Sequence, residues 1–560
     1  MTTKPQAGGG SGRGKARGAS PPRAANDSAG KRRNPGAAER RRGAPREEGG
    51  GDPVGKKARG ASQAAPRAEG ARDVAARVVT RVLRDGAFAS AALDAELLAL
   101  PRLGARDRAL ATELCYGALR LQGALRRELE RLASKLPARD HVLMGHLLVA
   151  AYQLLVLERV PAHAAVDHAV SAARAARGAR VGGFVNAVLR RLAERPRLDA
   201  SLAAFDSLAP WLREALVAAV GEAGARALVA PPGRGAAVKS GELTDEALGV
   251  DSSGKLTDEG VALGADSPDE QTGATGESDG LTDGGAVAEL GELTDEARSV
   301  SAGLGAPSLR LRVSPGEQAE WLAAAPRGRV SPLARRPPRA GDLRRLPGYA
   351  EGQFVVQEEG AQVIALALAP EPGERVLDAC AGRGQKTSLL ADLMAGAGEL
   401  WASDVHAGKL RALQAELRRL GLPAPRTALV DLSVGVGELP AGFDRVLVDA
   451  PCTGTGTLRR RPEIAERLQP DDPARMGALQ ASILRNAATR LRPGGVLVYA
   501  VCSVLEAEAE AVLASVRDVL TPRPFASRWL PWLGPEQEQL RLHPAAHDTD
   551  GYFIACLTLR

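Results

Sequence analysis

Apolar residues along this chain follow two different periods, and the two are separated by stretches that follow neither. From 73 to 234 they recur every three to four positions. Val74, Val78, Val79, Val82 and Leu83 fall on one face of a helix. The run 140–160 (DHVLMGHLLVAAYQLLVLERV) is too apolar for a surface helix and predicts a buried one. Pro161 is expected to end it, since proline brings no N–H to the next turn. Further helices are predicted over 163–177, 181–194 and 209–230, giving an all-α domain. From 307 to 560 short β-forming runs alternate with helical ones. Strands are predicted at 308–313, 374–379, 398–404, 427–431, 444–449, 495–502 and 552–558. Helices are predicted at 357–369, 385–395, 407–420, 473–491 and 505–520. This alternation predicts an α/β, Rossmann-like, mostly parallel sheet, with ligands at the carboxyl ends of its strands.

The remaining stretches lack the apolar residues that a core needs. Residues 1–72 are rich in Gly, Ala, Pro, Ser and Arg, and are expected to be a disordered tail. They hold 17 Lys+Arg against 6 Asp+Glu, a net of +11, with clusters at Lys31–Arg33 and Arg40–Arg42. The tail is an RNA-attracting arm, a dispensable solvated one or an organellar transit peptide, which its acidic residues disfavour. Residues 235–306 read as an acidic, low-complexity insertion. Gly-Glu-Leu-Thr-Asp-Glu-Ala occurs there at 241–247 and again at 291–297, and the net charge over 239–299 is −13. The whole chain carries +7, so the rest of it holds +9, which favours a polyanionic partner such as RNA. No apolar run is long enough to span a bilayer, and the N-terminus shows no apolar signal core. Five irregularly spaced cysteines form neither a disulfide framework nor a zinc motif. The expectation is a cytoplasmic protein, monomeric, without metal.

Candidate chemistry begins at Cys380-Ala381-Gly382-Arg383-Gly384-Gln385-Lys386, a glycine turn between a predicted strand and a predicted helix. Gly382 and Gly384 can adopt positive φ and let a ligand approach the backbone. Asp404 closes the next strand, 22 residues after Gly382, where a carboxylate can accept ribose hydroxyls. Asp431 closes the strand after that, where it could meet an adenine amine. An ATP-binding P-loop requires glycine where Gln385 and Cys380 stand, and so is excluded. A dinucleotide site would usually show a third glycine, which Gln385 does not supply. S-adenosylmethionine fits the pattern better.

Two further runs of β-formers end in thiols. They are Leu447-Val448-Asp449-Ala450-Pro451-Cys452 and Tyr499-Ala500-Val501-Cys502. The C5 carbon of cytosine is a poor nucleophile. Adding a thiolate to C6 turns C5 into an enamine-like carbon able to attack an electrophilic methyl group. The C5 proton then leaves and the thiolate is expelled. One cysteine can attack, a second group can assist release, and an acid near N3 can steady the adduct. Cys502, Cys452 and Asp449 are the candidates. An ordinary thiol is mostly protonated at neutral pH, so the site must lower one thiol's pKa or provide a base. Cys380 is expected to pack beside the cofactor, and Cys115 and Cys556 to be structural.

These motifs resemble the Sun family of RNA cytosine-C5 methyltransferases over 307–560. Asp449-Ala450-Pro451-Cys452 and Cys502-Ser503 match its two cysteine motifs, and Gln357-Glu358, Arg459–Glu463 and Asp550–Phe553 match further positions. The resemblance implies that Cys502 is the nucleophile and that Cys452 assists product release. DNA cytosine methyltransferases use the Pro-Cys cysteine as nucleophile, so the sequence by itself leaves the two roles open. The resemblance also places Cys380 to Lys386, Asp404, Asp431 and Asp449 around the cofactor or target base. The glycine turn departs from the family's Cys-Ala-Ala-Pro-Gly-Gly-Lys-Thr at Gly382, Arg383 and Gln385.

The helical region resembles the RNA-binding fold of NusB. The matching phrases are Glu113–Gly117, Val160–Val166 and Phe184–Arg190. His163 within them is expected to pack at a helix start. A NusB-like domain ahead of a Sun-type domain is similar to the RsmB-type enzymes that methylate a cytosine of small-subunit ribosomal RNA. Two rival readings are transfer-RNA cytosine methylation and a non-catalytic RNA-binding assembly factor.

Overall fold

The computed structural model describes residues 70–133, 136, 138–230, 308–314, 318–337 and 343–560. The expected basic tail lies outside these, apart from its last three residues, and the acidic insertion lies wholly outside them. The first half is helical: α1 (Ala71–Asp85), α2 (Ala89–Ala99), α3 (Ala105–Arg120), α4 (Gln122–Leu132), α5 (His141–Leu155), α6 (Ala162–Arg177), α7 (Ala179–Ala193), α8 (Ala200–Asp206) and α9 (Pro210–Val229). The predicted valine stripe is the buried face of α1, which packs on α3 and α5. Gly145 lets α5 press against α1, since a Cβ there would meet Thr80 Oγ1 at 2.5 Å and the Ala76 carbonyl at 2.7 Å. Helix α5 is buried as its composition predicts. It ends at Leu155, however, and not at Pro161, which sits at the N-cap of α6. The missing N–H costs nothing there, because the first donors of a helix have no partner within it. His163 is exposed in the first turn of α6, not packed.

The second half is the alternating region. A small antiparallel sheet holds β1 (Leu309–Leu311) between β2 (Ala334–Arg335) and β3 (Phe354–Val356). The main sheet contains β4 (Arg375–Asp378), β5 (Glu399–Asp404), β6 (Arg426–Leu429), β7 (Phe443–Asp449), β8 (Leu491–Val501), β9 (Leu520–Pro522), β10 (Gln539–Leu542) and β11 (Tyr552–Leu559). Its order is β10-β11-β8-β7-β4-β5-β6, with β9 also paired to β11. Strands β4 to β8 are parallel to their neighbours, whereas β11 runs antiparallel to β8. The chain reverses its direction of travel at β4, which has β5 on one side and β7 on the other. Such a switch point opens a crevice at the carboxyl ends of the strands. The helix predicted over 505–520 is broken. A 3-10 turn (Glu506–Glu508), a short helix (Glu510–Ser515) and β9 replace it, because Ala509 leaves helical geometry at φ −124°, ψ −102°.

Two features bind these parts around the crevice. Arg310 of β1 is fully buried and donates to Gln357 (2.9 Å), Asp392 (3.1 Å) and Ser388 (3.0 Å). It thereby ties the small sheet to the helix that follows the glycine turn. Helices α8 and α9 share an apolar cluster with Leu458, Ile464, Val504 and Leu505, which lie on the segments just after the two candidate cysteines. Among the described residues no helix is long and apolar enough to cross a membrane, and no group of three or more His, Cys, Asp or Glu could hold a metal.

Candidate active site

Strand β4 ends at Asp378, and the glycine turn starts there. Gly382 (φ 56°) and Gly384 (φ 86°) both occupy the left-handed region that disfavours side chains. At Gly384 a Cβ would also strike Leu413 at 2.6 Å. The turn is held from behind by β5. Ala381 donates its N–H to the Ser403 carbonyl (2.8 Å), and Gly382 donates to Asp404 Oδ2 (3.0 Å). A cavity of about 140 Å³ opens in front of it, lined by Asp378, Cys380, Ala381, Gly382, Arg383, Gln385, Lys386 and Asp449. Seven of the predicted cofactor residues therefore come together. Gly384 shapes the turn, and Asp404 is buried behind it. Asp431 is exposed, and its Oδ1 accepts from Ser433 N–H (2.9 Å) and Oγ (2.6 Å).

Asp378 was not singled out from the sequence, though an acid closing the strand before a glycine turn is a readable signal. Its Oδ2 accepts from Thr387 (2.7 Å), while its buried Oδ1 has no hydrogen-bond partner. Burial pushes its carboxyl up to about 7 against the pull of the Thr387 hydroxyl. An orphaned carboxylate oxygen at a cavity wall fits a ligand that brings a cation or an N–H donor, as the amino group of S-adenosylmethionine would.

The thiols lie beyond the same strand ends. Cys452 follows β7 and Cys502 follows β8, and their sulfurs stand 3.2 Å apart. Lys386 reaches across from the helix Gln385–Leu393 to Asp449 Oδ2 at 2.6 Å. The hydrogen bond from Cys452 holds the Cys502 thiol below the ordinary range, and burial and Asp449 oppose it. The positive charges of Lys386 and Arg461 add to the lowering. Cys452 is pushed well up by that same contact and by burial. Burial raises Cys380 too, with Asp378 and Asp449 adding to it, so it remains a thiol. Cys115 and Cys556 are buried, as expected of structural residues.

Glu508 organises the two cysteine loops, and the sequence reading missed it. This fully buried carboxylate accepts from the Thr453 N–H (2.8 Å), the Thr453 hydroxyl, Ser503 Oγ (2.6 Å) and the Gln480 amide (3.1 Å). One side chain thus pins the residue after each cysteine. Gly456 donates to the Cys502 carbonyl (3.0 Å) and accepts from Gly551 (2.8 Å). A Cβ on Gly456 would lie 1.9 Å from the Gly551 carbonyl oxygen, so only glycine fits.

The family described as "16S rRNA methyltransferase RsmB/F" matches residues 365–558, and the NusB family matches 69–194. The Mycobacterium tuberculosis protein Rv1407 is 37% identical over 517 residues, covering 88% of this chain and 99% of that one. Ribosomal RNA small subunit methyltransferase B of Xanthomonas campestris is 32% identical over 516 residues, covering 89% and 99%. The solved structure of PH0851 shares the fold, with a TM-score of 0.63 at 21% identity over 87% of this chain and 98% of that one. The chain belongs to the RsmB/F family of methyltransferases, with a NusB-family helical domain ahead of its catalytic domain.

Proposed function

We propose that this protein transfers a methyl group from S-adenosylmethionine to C5 of a cytosine in small-subunit ribosomal RNA, through a covalent bond between Cys502 and C6. The observation that carries this reading is the sulfur pair at 3.2 Å beside the Lys386–Asp449 ion pair, at the rim of the glycine-turn cavity. The names of the relatives support the RNA class. Bound S-adenosylmethionine would supply an electrophilic methyl on a sulfonium. Cys380 to Lys386, Asp378 and Asp449 would hold it.

The chain's own residues do the rest. Cys502 is the thiolate of the pair and adds to C6, forming a C–S bond. Asp449 accepts from the exocyclic amine beside N3, and Lys386 holds its carboxylate in place. With Cys502 bound to carbon, Cys452 no longer donates to a neighbouring thiolate, and the contact that most raises its pKa is gone. Once C5 has gained the methyl group, Cys452, its own proton passed to solvent, accepts the C5 proton as the C6–S bond breaks and Cys502 leaves as a thiolate. A paired base hides C6, so the cytosine must be unpaired or flipped out.

Small-subunit ribosomal RNA transcribed with 5-fluorocytidine tests this, because fluorine cannot leave as a proton does. With S-adenosylmethionine present, the wild type forms a denaturant-resistant adduct and Cys502→Ala does not. With ordinary RNA, Cys452→Ala stalls as an adduct instead of releasing product. If Cys502→Ala still crosslinks and Cys452→Ala does not, the roles are reversed. If neither thiol is needed, the mechanism is wrong. Bisulfite sequencing of RNA from a deletion strain reads whether ribosomal or transfer RNA loses the mark.

A further inference from the structure

The loop between α1 and α2 carries Phe88, the only exposed Phe, Tyr or Trp among the described residues, with 53% of its surface accessible. Water contact over so much of an aromatic ring is unfavourable, and the loop is not free to hide it. Glu463 Oε1 accepts from the Ala89 N–H (3.1 Å), and the Arg467 guanidinium donates to the Ala87 carbonyl. Both anchors come from the catalytic domain, on the segment that follows Cys452. Two guanidiniums from that segment flank the ring, Arg467 at 5.3 Å and Arg461 at 6.0 Å from its centroid. Arg461 also adds to the lowering of the Cys502 thiol, so its positive charge is felt at that sulfur.

The same seam contains a polar cavity of about 230 Å³, lined by Val82, Leu83, Gln122, Arg126, Glu463, Glu466 and Arg467. Within it Glu463 Oε2 and Arg126 Nε are both buried and without a hydrogen-bond partner, although Glu463 is only 2% exposed. An unmatched acceptor and an unmatched donor in one cavity are what the polar edge of a nucleobase satisfies. An exposed aromatic ring beside arginines is what its flat side seeks, since every base has a π-face and the neighbouring phosphates are anionic.

We infer that this seam binds an unpaired base of the substrate RNA beside the target cytosine, with Phe88 as its stacking platform and Arg461 and Arg467 meeting its phosphates. The helical domain then contributes directly to positioning the substrate, through one ring at the edge of the catalytic cleft. The inference rests on the RNA reading above.

Adduct formation with 5-fluorocytidine RNA, measured against RNA concentration, tests it and keeps the two readings apart. Absence of any wild-type adduct overturns the function. Given a wild-type adduct, Phe88→Ala should raise the half-saturating RNA concentration about ten-fold, with the saturated rate moving much less. Phe88→Trp should restore wild-type behaviour. Phe88→Leu, which keeps an apolar side chain without the π-face, should not. Short single-stranded RNAs around the adducted cytidine, made abasic one flanking position at a time, complete the test. One abasic position should weaken wild-type binding and leave Phe88→Ala binding unchanged. Half-saturation within two-fold of wild type for Phe88→Ala, rescue by Leu, or no abasic position coupled to residue 88 would overturn the inference. Unchanged thermal unfolding separates each result from misfolding.

Discussion

Two of the carboxylates that the catalytic domain buries near its crevice are treated in opposite ways. Glu508 accepts four hydrogen bonds, all from the chain itself. Asp378 accepts one from Thr387 and keeps its other oxygen empty-handed. A buried acid that its own protein saturates is scaffolding, because nothing is left for a visitor. A buried acid left half-satisfied is costly to the free protein and is repaid when a ligand arrives. The thiol end of the crevice is therefore built in advance, and the cofactor end is completed by what binds.

This contrast can be broken by mutation. Glu508→Ala should have the largest effect. It leaves the Thr453 N–H without its acceptor, takes one partner each from Ser503 and Gln480, and should cost about 3–5 kcal/mol of stability, read by denaturant unfolding. Adduct formation should be lost with it, and retention of the wild-type rate would show that the cysteine loops hold themselves. Asp378→Asn should act in two directions. The wild-type carboxyl titrates at about 7 when folded, above the ordinary 3.8. The folded state thus favours the protonated acid. That stabilisation is complete below pH 4 and is lost as pH rises through 7. The free variant should accordingly gain on the wild type between pH 4 and pH 8, by at most ~4 kcal/mol. Its affinity for S-adenosylmethionine should fall roughly ten- to hundred-fold, measured by calorimetry. Equal affinity would mean that the orphan oxygen meets no ligand.

Smaller effects sharpen the picture. Lys386→Met removes a charge that favours the Cys502 thiolate, so the thiol pKa should rise by about one unit. Adduct formation near pH 7 should slow about ten-fold and recover at higher pH, and a pH-independent deficit would point to lost geometry instead. Asp431→Ala should change cofactor affinity less than about three-fold, because Oδ1 already serves Ser433.

The alternation of strands and helices, the glycine turn and the two thiols could all be read from the chain, since each is a local pattern. Helices α2, α3 and α4 could not be read so clearly. Buried residues on α2 are only Ala89, Ala92 and Leu93, too few and too small to mark a face. Glu508 was hidden inside a predicted helix, because its role depends on loops 50 residues apart in sequence meeting at its carboxyl group. Phe88 gave no signal either, since its arginine neighbours arrive from more than 370 positions downstream. The position of Asp431 just past a strand was legible, and the short-range bonds from Ser433 to its Oδ1 were not.

The greasy patch formed by Leu458, Ile464, Val504 and Leu505 is covered by α8 and α9. Severing the polypeptide between its halves would therefore expose an oily surface on the segments that follow Cys452 and Cys502. The catalytic half expressed by itself should be sticky and poorly soluble, and its thiol loops should slacken. The two modules are thus better viewed as one machine with a shared keel than as an enzyme carrying a detachable RNA handle.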